Sequence, residues 1–347
     1  MAEEEIASPR VVVTGAGGFA GRALCVALQR RGVAVVPWCA PHEDPSGAAW
    51  LRDHGFKPES PDLTDEAALT AGLQGVRQVV HGAWRDEGPP EALVRDDLVA
   101  SETLLAAARG AGVYRLVLLS SEVVTRGWAP RTYADEDFPP PVKPVSESWR
   151  LRALVEDLVL AAHGGGIETI SLRPAWLWGA GDTENLPALA RSVRVGRFRW
   201  LAGGRTLWAG THRRTLVAAV LRALDAPGAG GRAYHVTDDE RLLQRDFLGR
   251  WMQALGLPVP RAGASLYAGL LGAWLQRGPR REAALRALYT FGRSAHFNVQ
   301  RAREVLGWAP AVTTEEGLRE LSRWCAALGG LEATLAQGPK ADDPSWV

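Results

Sequence analysis

Short runs of β-branched and other apolar residues alternate along the chain with longer stretches whose apolar positions recur at helical spacing. Residues 11–14, 33–36, 76–80, 116–120 and 169–172 predict buried strands. Residues 22–31, 66–73, 93–108 and 145–162 predict the amphipathic helices between them. Strand and helix in strict alternation is the pattern of crossover units, so the predicted class is α/β, a doubly wound parallel sheet with helices on both faces. After Arg173 the rhythm breaks into shorter helices and loops rich in Gly, Arg and Trp, with one more strand-like run at 233–236. The expected organisation is a sheet domain over 1–172, a smaller, mostly helical region over 173–336 that returns one or more elements to it, and a frayed tail at 337–347.

Composition narrows the partner. In 347 residues, 40 Lys+Arg balance 39 Asp+Glu for a formal charge of +1. No basic block gathers the cations that phosphate backbones require, so nucleic acid is not an expected partner and a small molecule is. Cys25, Cys39 and Cys325 are too scattered for a disulfide framework, and the seven His show no metal-ligand spacing; no metal is expected. Glu3, Glu4 and Glu5 open the chain where a secretory signal would be basic and then apolar, which points to the cytoplasm. The 14 Trp, against 5 Tyr and 7 Phe, need pockets or interfaces to bury them. The apolar run at 262–275 falls short of the about 20 residues that span a bilayer. It is expected to be a buried helix or a wall of the substrate pocket; the flanking Arg261, Arg277, Arg280 and Arg281 leave an interfacial anchor as the other reading.

The strongest motif lies between the first strand and the first helix, where Gly15, Gly18 and Gly21 stand at GxxGxxG spacing. Gly15 permits the tight turn, Gly18 lets backbone N–H groups approach a pyrophosphate, and Gly21 lets the helix pack closely on the sheet. The helix N-terminus, at Phe19 and Ala20, faces the anion.

With the loop in place, other segments resemble the extended short-chain dehydrogenase/reductase superfamily, in its 3β-hydroxysteroid dehydrogenase and epimerase/dehydratase-like branch. Pro61-Asp62-Leu63-Thr64-Asp65 is similar to GDLTD, His81-Gly82-Ala83-Trp84 to HLAA, and Leu172-Arg173-Pro174-Ala175-Trp176-Leu177-Trp178-Gly179 to LRPxxIYG. Ser120-Ser121 with Gly127 resembles SSxxxVYG, and Leu306-Gly307-Trp308-Ala309-Pro310 the closing LGWxP. The resemblance covers nearly the whole chain. It implies a Rossmann-type domain, NAD or NADP as cofactor, Asp62, Leu63 and Ala83 beside the dinucleotide, and possible homodimerisation through two helices of the first domain.

The family's catalytic set is replaced. The resemblance puts Ser148 at the usual Tyr, Arg152 at the usual Lys and Glu122 at the usual Ser. A serine hydroxyl is a poor acid without a neighbouring base, and a guanidinium stays protonated and bonds as a planar fork. Glu122 adds a carboxylate to the cleft and is the candidate acid/base; the opposing reading pairs it with Arg152 across an abandoned site. The acid that would grip an adenosine ribose is missing near Cys39, so NAD and NADP are not distinguished. Trp38 and Trp84, at strand ends, either stack on adenine, pack the edge or block it. Trp176, Trp178 and His212 are the candidate substrate pocket, against a reading in which they pack the core.

Three functions remain open at this point. One is an enzyme on a hydrophobic or aromatic small molecule, with non-standard oxidoreductase, isomerase or dehydratase-type chemistry in which Glu122 moves the proton, Arg152 steadies an anion and Ser148 bonds the substrate. Another is a catalytically silent protein that senses a dinucleotide or ligand. The third is ordinary hydride transfer with the proton from another group.

Overall fold

Strands that are apolar at consecutive positions must be covered on both faces. In the computed structural model, which describes residues 10–337 apart from Asp86 and Trp128, the predicted runs become β1 (Arg10–Thr14), β2 (Ala34–Trp38), β3 (Val76–His81), β4 (Arg115–Leu119) and β5 (Glu168–Pro174). A sixth, β6 (Arg232–Val236), completes a fully parallel sheet of order β6-β5-β4-β3-β1-β2. All but Gln337 of the expected tail lies outside the described residues.

The helices fall on both sides. α1 (Phe19–Arg30) and, later in the chain, Arg213–Asp225 share one core, where Leu24, Leu28, Val117, Ile170, Leu216 and Val220 meet. On the same side, Trp50 and Leu51 of α2 (Pro45–Asp53) join it. α3 (Glu66–Gly72), α4 (Ala100–Gly110) and α5 (Glu147–Ala161) cover the other face through Leu69, Leu104, Ala108, Val155 and Val159. Side-chain caps define their starts: Asp44 accepts from Ser46 N–H, Asp65 from Ala68 N–H, and Ser146 from Trp149 N–H. At α1 the N-cap is Gly18, which offers no side chain of its own to the helix end.

The region beyond 173 returns a helix, Arg213–Asp225, here α6, and a strand, β6, to the first domain's sheet. Its remaining elements enclose a separate core around Trp178, Trp200, Trp208, Trp251 and Trp324.

The run at 262–275 departs from expectation. It forms α7 (Leu266–Trp274), yet Tyr267, Leu271 and Trp274 are 75%, 60% and 68% exposed, and Leu275 is 69% exposed. The reason is its narrow seat. α7 packs on α8 (Gly278–Gly292) by its small residues, so closely that a Cβ at Gly269 would stand 2.5 Å from Leu288, and nothing among the described residues covers the other side.

Two arginines on buried strands are fully engaged. Arg115 reaches Glu168 and the carbonyls of Ala223, Leu224 and Ala226 at the end of α6. Arg173 donates to Glu156 on α5, which also accepts from Ser171, and to the Glu136 carbonyl. Removing one member of such a pair strands the other charge. Arg173→Met is expected to destabilise the fold by about 3–5 kcal/mol in denaturant titration, with Arg173→Met plus Glu156→Met recovering most of the loss.

Candidate functional site

The sheet order reverses between β1 and β3, and parallel sheets open a crevice at the carboxyl ends of their strands at such a point. Thr14 and His81 close the two strands there. The Thr14 hydroxyl accepts from Gly82 N–H (3.1 Å) and Ala83 N–H (3.3 Å), so its own proton goes to His81 Nδ1 at 2.7 Å. His81 Nε2 then donates to Ser101 Oγ at 3.0 Å, and Ser101 to the Asp97 carbonyl. Burial pushes His81 down to about 4, which keeps the imidazole neutral in this relay. Its role is structural. Ala83 takes its place through the same bond, with its side chain buried.

The glycine loop follows Thr14. Gly15 adopts φ +71°, and a Cβ there would lie 2.3 Å from the Gly82 carbonyl oxygen; one at Gly21 would lie 2.1 Å from the Gly15 carbonyl oxygen. Both positions therefore require glycine. Gly18 N–H bonds back to Gly15, while the N–H groups of Gly17 and Phe19 point outward at the mouth of α1.

Three cavities run along this edge. The first, about 150 Å³, is lined by Asp62, Leu63, Thr64, His42, Arg85 and Arg95. Asp62 is exposed and accepts from Thr64 N–H and Oγ, which hold its carboxyl below the usual range, and Leu63 is buried. The second, about 410 Å³, lies over the glycine loop between Gly17, Gly18, Arg22, Glu43, Asp182 and Glu184. The third, about 190 Å³, is bounded by Gly15, Gly18, Ala20, Ser120, Arg152 and Pro174. Shared walls join them: His42 and Arg85 between first and second, Trp84, Glu43 and Glu184 between second and third.

The outward N–H groups donate to carboxylates of the protein itself. Gly17 donates to Glu43 Oε2 at 2.9 Å, and Phe19 to Glu184 Oε1 at 3.1 Å. Glu43 comes from the loop after β2 and accepts from Ala40 N–H as well. Glu184 comes from the second half of the chain, on a loop that Arg22 ties to the cradle by donating to the carbonyls of Gly17 and Gly181 and to the Thr183 hydroxyl. Burial raises Glu43 to about 7, and it raises Asp182, which caps this loop, to about 7 as well. The donors at the mouth of α1 thus hold acceptor oxygens of acidic groups, as a pyrophosphate would present them, and the groove and close-packed glycines fit a dinucleotide.

The residues aligned with the family's catalytic set are only partly brought together. Arg152 lines the third cavity, its guanidinium 4.2 Å from the centre of the Trp84 ring, and Trp84 donates through its indole N–H to the Leu119 carbonyl. Glu122 pairs with Arg126, not Arg152. Arg126 Nε donates to its carboxylate at 2.6 Å in a buried contact, four residues on in the short 3₁₀ turn after β4, and Nη1 reaches the carbonyls of Tyr289 and Thr290 on α8. The intervening turn explains the choice, since i,i+4 spacing puts Arg126 beside Glu122 at no cost in long-range closure. Ser148, in the first turn of α5, shares a 3.2 Å hydrogen bond with Ser146. Neither Glu122 nor Ser148 lines the three cavities.

Trp176, Trp178 and His212 also stand away from the groove. Trp178 is buried, donates to Asp238 Oδ2 and meets His212 edge-on at 4.8 Å. His212 caps α6 by accepting from Arg214 N–H, and burial lowers it to about 3. Trp176 is half-buried against Trp208, Phe247 and Trp251. Trp38 packs under the sheet edge with its N–H on Glu59.

Several site groups escaped the sequence reading. Ser120 Oγ is buried at the third cavity and has no hydrogen-bond partner among the described residues. Glu43 and Glu184 were silent, whereas Arg22, an arginine on the buried face of an apolar helix, was a signal available in the sequence.

Comparison with known proteins agrees with this geometry. Residues 11–237 match the model of the NAD dependent epimerase/dehydratase family. The chain is 34% identical, over 90% of its length and 95% of the relative's, to the 4-hydroxy-2-methyl-3-oxo-4-farnesyl-3,4-dihydroquinoline-1-oxide ketoreductase of Stigmatella aurantiaca. It is 31% identical to the 2-alkyl-3-oxoalkanoate reductase of Stenotrophomonas maltophilia, over 92% of this chain and all of that one. Among solved structures, MoeE5 in complex with UDP-glucose and NAD superposes with a TM-score of 0.71 at 23% identity, covering 92% of this chain and 99% of that one.

Proposed function

The chain belongs to the NAD-dependent epimerase/dehydratase family of the extended short-chain dehydrogenase/reductases, and from that premise we propose that it is a dinucleotide-dependent oxidoreductase acting on a hydrophobic ketone or the matching alcohol. The observation that carries the reading is that Ser120 and Arg152 line the same cavity as Gly15, Gly18 and Gly21. A nicotinamide bound there supplies or removes hydride. The glycine loop and the mouth of α1 hold the pyrophosphate, and Asp62 and Leu63 border the adenosine end.

Ser120, whose hydroxyl has no partner among the described residues, donates to the substrate oxygen. Arg152 steadies the negative charge that oxygen gains, and water, in place of the missing tyrosine, provides its proton. Glu122 serves as a positioning residue: its carboxylate fixes Arg126, which holds the last turn of α8. Ser148, bonded to Ser146, steadies the start of α5. The two curated relatives, a ketoreductase and a reductase, support this substrate class by likeness.

The test is turnover. Purified protein is expected to oxidise NADH or NADPH in the presence of long-chain 3-oxoalkanoates or prenylated cyclic ketones, with deuterium from C4-labelled cofactor appearing on the product carbinol carbon. No transfer with either class would remove the proposal. A second reading, a sensor that binds a dinucleotide without turning it over, is favoured by two features: the Arg152 guanidinium lies over Trp84, and Glu122 is ion-paired with Arg126. Saturable binding without label transfer is its signature.

A further inference from the structure

Among the described residues, the outer side of α7 gathers a cluster of exposed large apolar side chains. Tyr267, Leu271 and Trp274 recur at helical spacing on one face, continued by Leu275, and all four are at least 60% exposed. A face of this size on a short helix calls for a partner. The charge around it is one-sided. Arg261 precedes the helix and Arg277, Arg280 and Arg281 follow it; all four are exposed, none has an ion-pair partner among the described residues, and no Asp or Glu occurs from 261 to 281.

We propose that this face of α7 docks on the surface of an anionic lipid bilayer, its aromatic and aliphatic side chains in the headgroup boundary and the four arginines on lipid phosphates. Spanning is excluded for the helix, since no helix among the described residues is long and apolar enough to cross a membrane. Interfacial seating needs neither length nor a buried axis, only an apolar stripe with cations beside it. A second copy of the chain fits less well. A two-fold contact would set this patch against itself, bringing arginines against arginines with no acid in the segment to pair them. The inner side of α7 is already spoken for, because Gly269 packs on Leu288 of α8 and Leu266 on Gly292. α8 in turn gives the carbonyls of Tyr289 and Thr290 to Arg126, so the docked hairpin backs onto the catalytic edge of the sheet. The docking proposal stands independently of the reaction assigned above.

Sedimentation of the full chain with vesicles tests it. The protein is expected to pellet with vesicles of phosphatidylcholine mixed with phosphatidylglycerol and to remain in the supernatant with phosphatidylcholine alone. Binding should weaken by about tenfold or more between 0.1 and 1 M salt, where the Debye length shrinks from about 10 to 3 Å. Leu271→Glu with Trp274→Glu should abolish pelleting, and Arg277→Gln with Arg280→Gln and Arg281→Gln should remove most of it. All these side chains are exposed, so both variants should keep the wild-type circular dichroism and Tm. The proposal is overturned if the protein pellets with neither vesicle, pellets equally with both, or pellets regardless of the Leu271 and Trp274 changes. A concentration-dependent dimer that Leu271→Glu with Trp274→Glu converts to monomer would also overturn it, in favour of a second copy on this face.

Discussion

Arg152→Met is expected to lower kcat by about 10²–10³-fold, the usual cost of deleting one preorganised group that stabilises an oxyanion. The argument rests on position. Arg152 projects from α5 into the cavity it shares with Ser120 and the glycine loop, and Trp84 supports its guanidinium from below at 4.2 Å. Methionine keeps an unbranched apolar stem but removes the guanidinium and its charge. Arg152→Lys returns a cation to the position and should recover at least about tenfold of the loss, although an ammonium lacks the planar fork of a guanidinium. Glu122→Gln provides the contrast. A proton-transfer residue would cost about 10²–10⁴-fold and take a limb of the pH profile with it. A residue that acts by fixing Arg126 should cost less than about tenfold and leave the pH profile in place. An unchanged rate in Arg152→Met would remove the guanidinium from the mechanism.

The second large effect concerns the cofactor. A dinucleotide pyrophosphate needs the N–H groups that Glu43 and Glu184 now occupy, so binding must displace both carboxylates and leave them beside another anion. Burial has already raised Glu43 to about 7, and an added anion raises it further. Binding then takes up a proton. Affinity should be level below about pH 7 and should fall by up to about tenfold per unit above it, until the pKa of the bound state is passed. Glu43→Gln should abolish that slope and tighten binding about tenfold at pH 8. Isothermal titration in two buffers of different ionisation heat measures the proton uptake directly. A slope of the opposite sign would show that the Glu43 carboxyl falls in pKa when the dinucleotide binds, having moved into solvent or onto a cation, and would contradict this account.

The sheet was legible because its strands are short, mostly apolar and β-branched runs and its crossovers periodic ones, and the two periods cannot be exchanged. The glycine loop was legible for a related reason: three glycines at fixed spacing between a strand and a helix report a backbone approach that side chains forbid, as Gly15 and Gly21 bear out by their contacts with Gly82 and Gly15. What stayed hidden is pairing at a distance. Glu43 meets Gly17 across 26 positions and Glu184 meets Phe19 across 165, and nothing in the local pattern of either segment records its partner. At Glu122 the reading as an acid/base stood against one that paired it with Arg152, and the structure pairs it instead with Arg126, one helical turn away. The run at 262–275 misled because composition reports that a segment is apolar, not whether a neighbour exists to cover it; Gly269 and the buried Ala273 let α7 seat on its narrow side and left the broad side outward.

The retained nucleotide cradle is the claim on which the rest depends, and calorimetric titration of NADH and NADPH near pH 6, a unit below the about 7 of Glu43, tests it most directly. The account predicts saturable binding of one dinucleotide per chain, tightened by Glu43→Gln with Glu184→Gln at higher pH. No saturable binding of either dinucleotide, in the wild type or in that folded double variant, would contradict it.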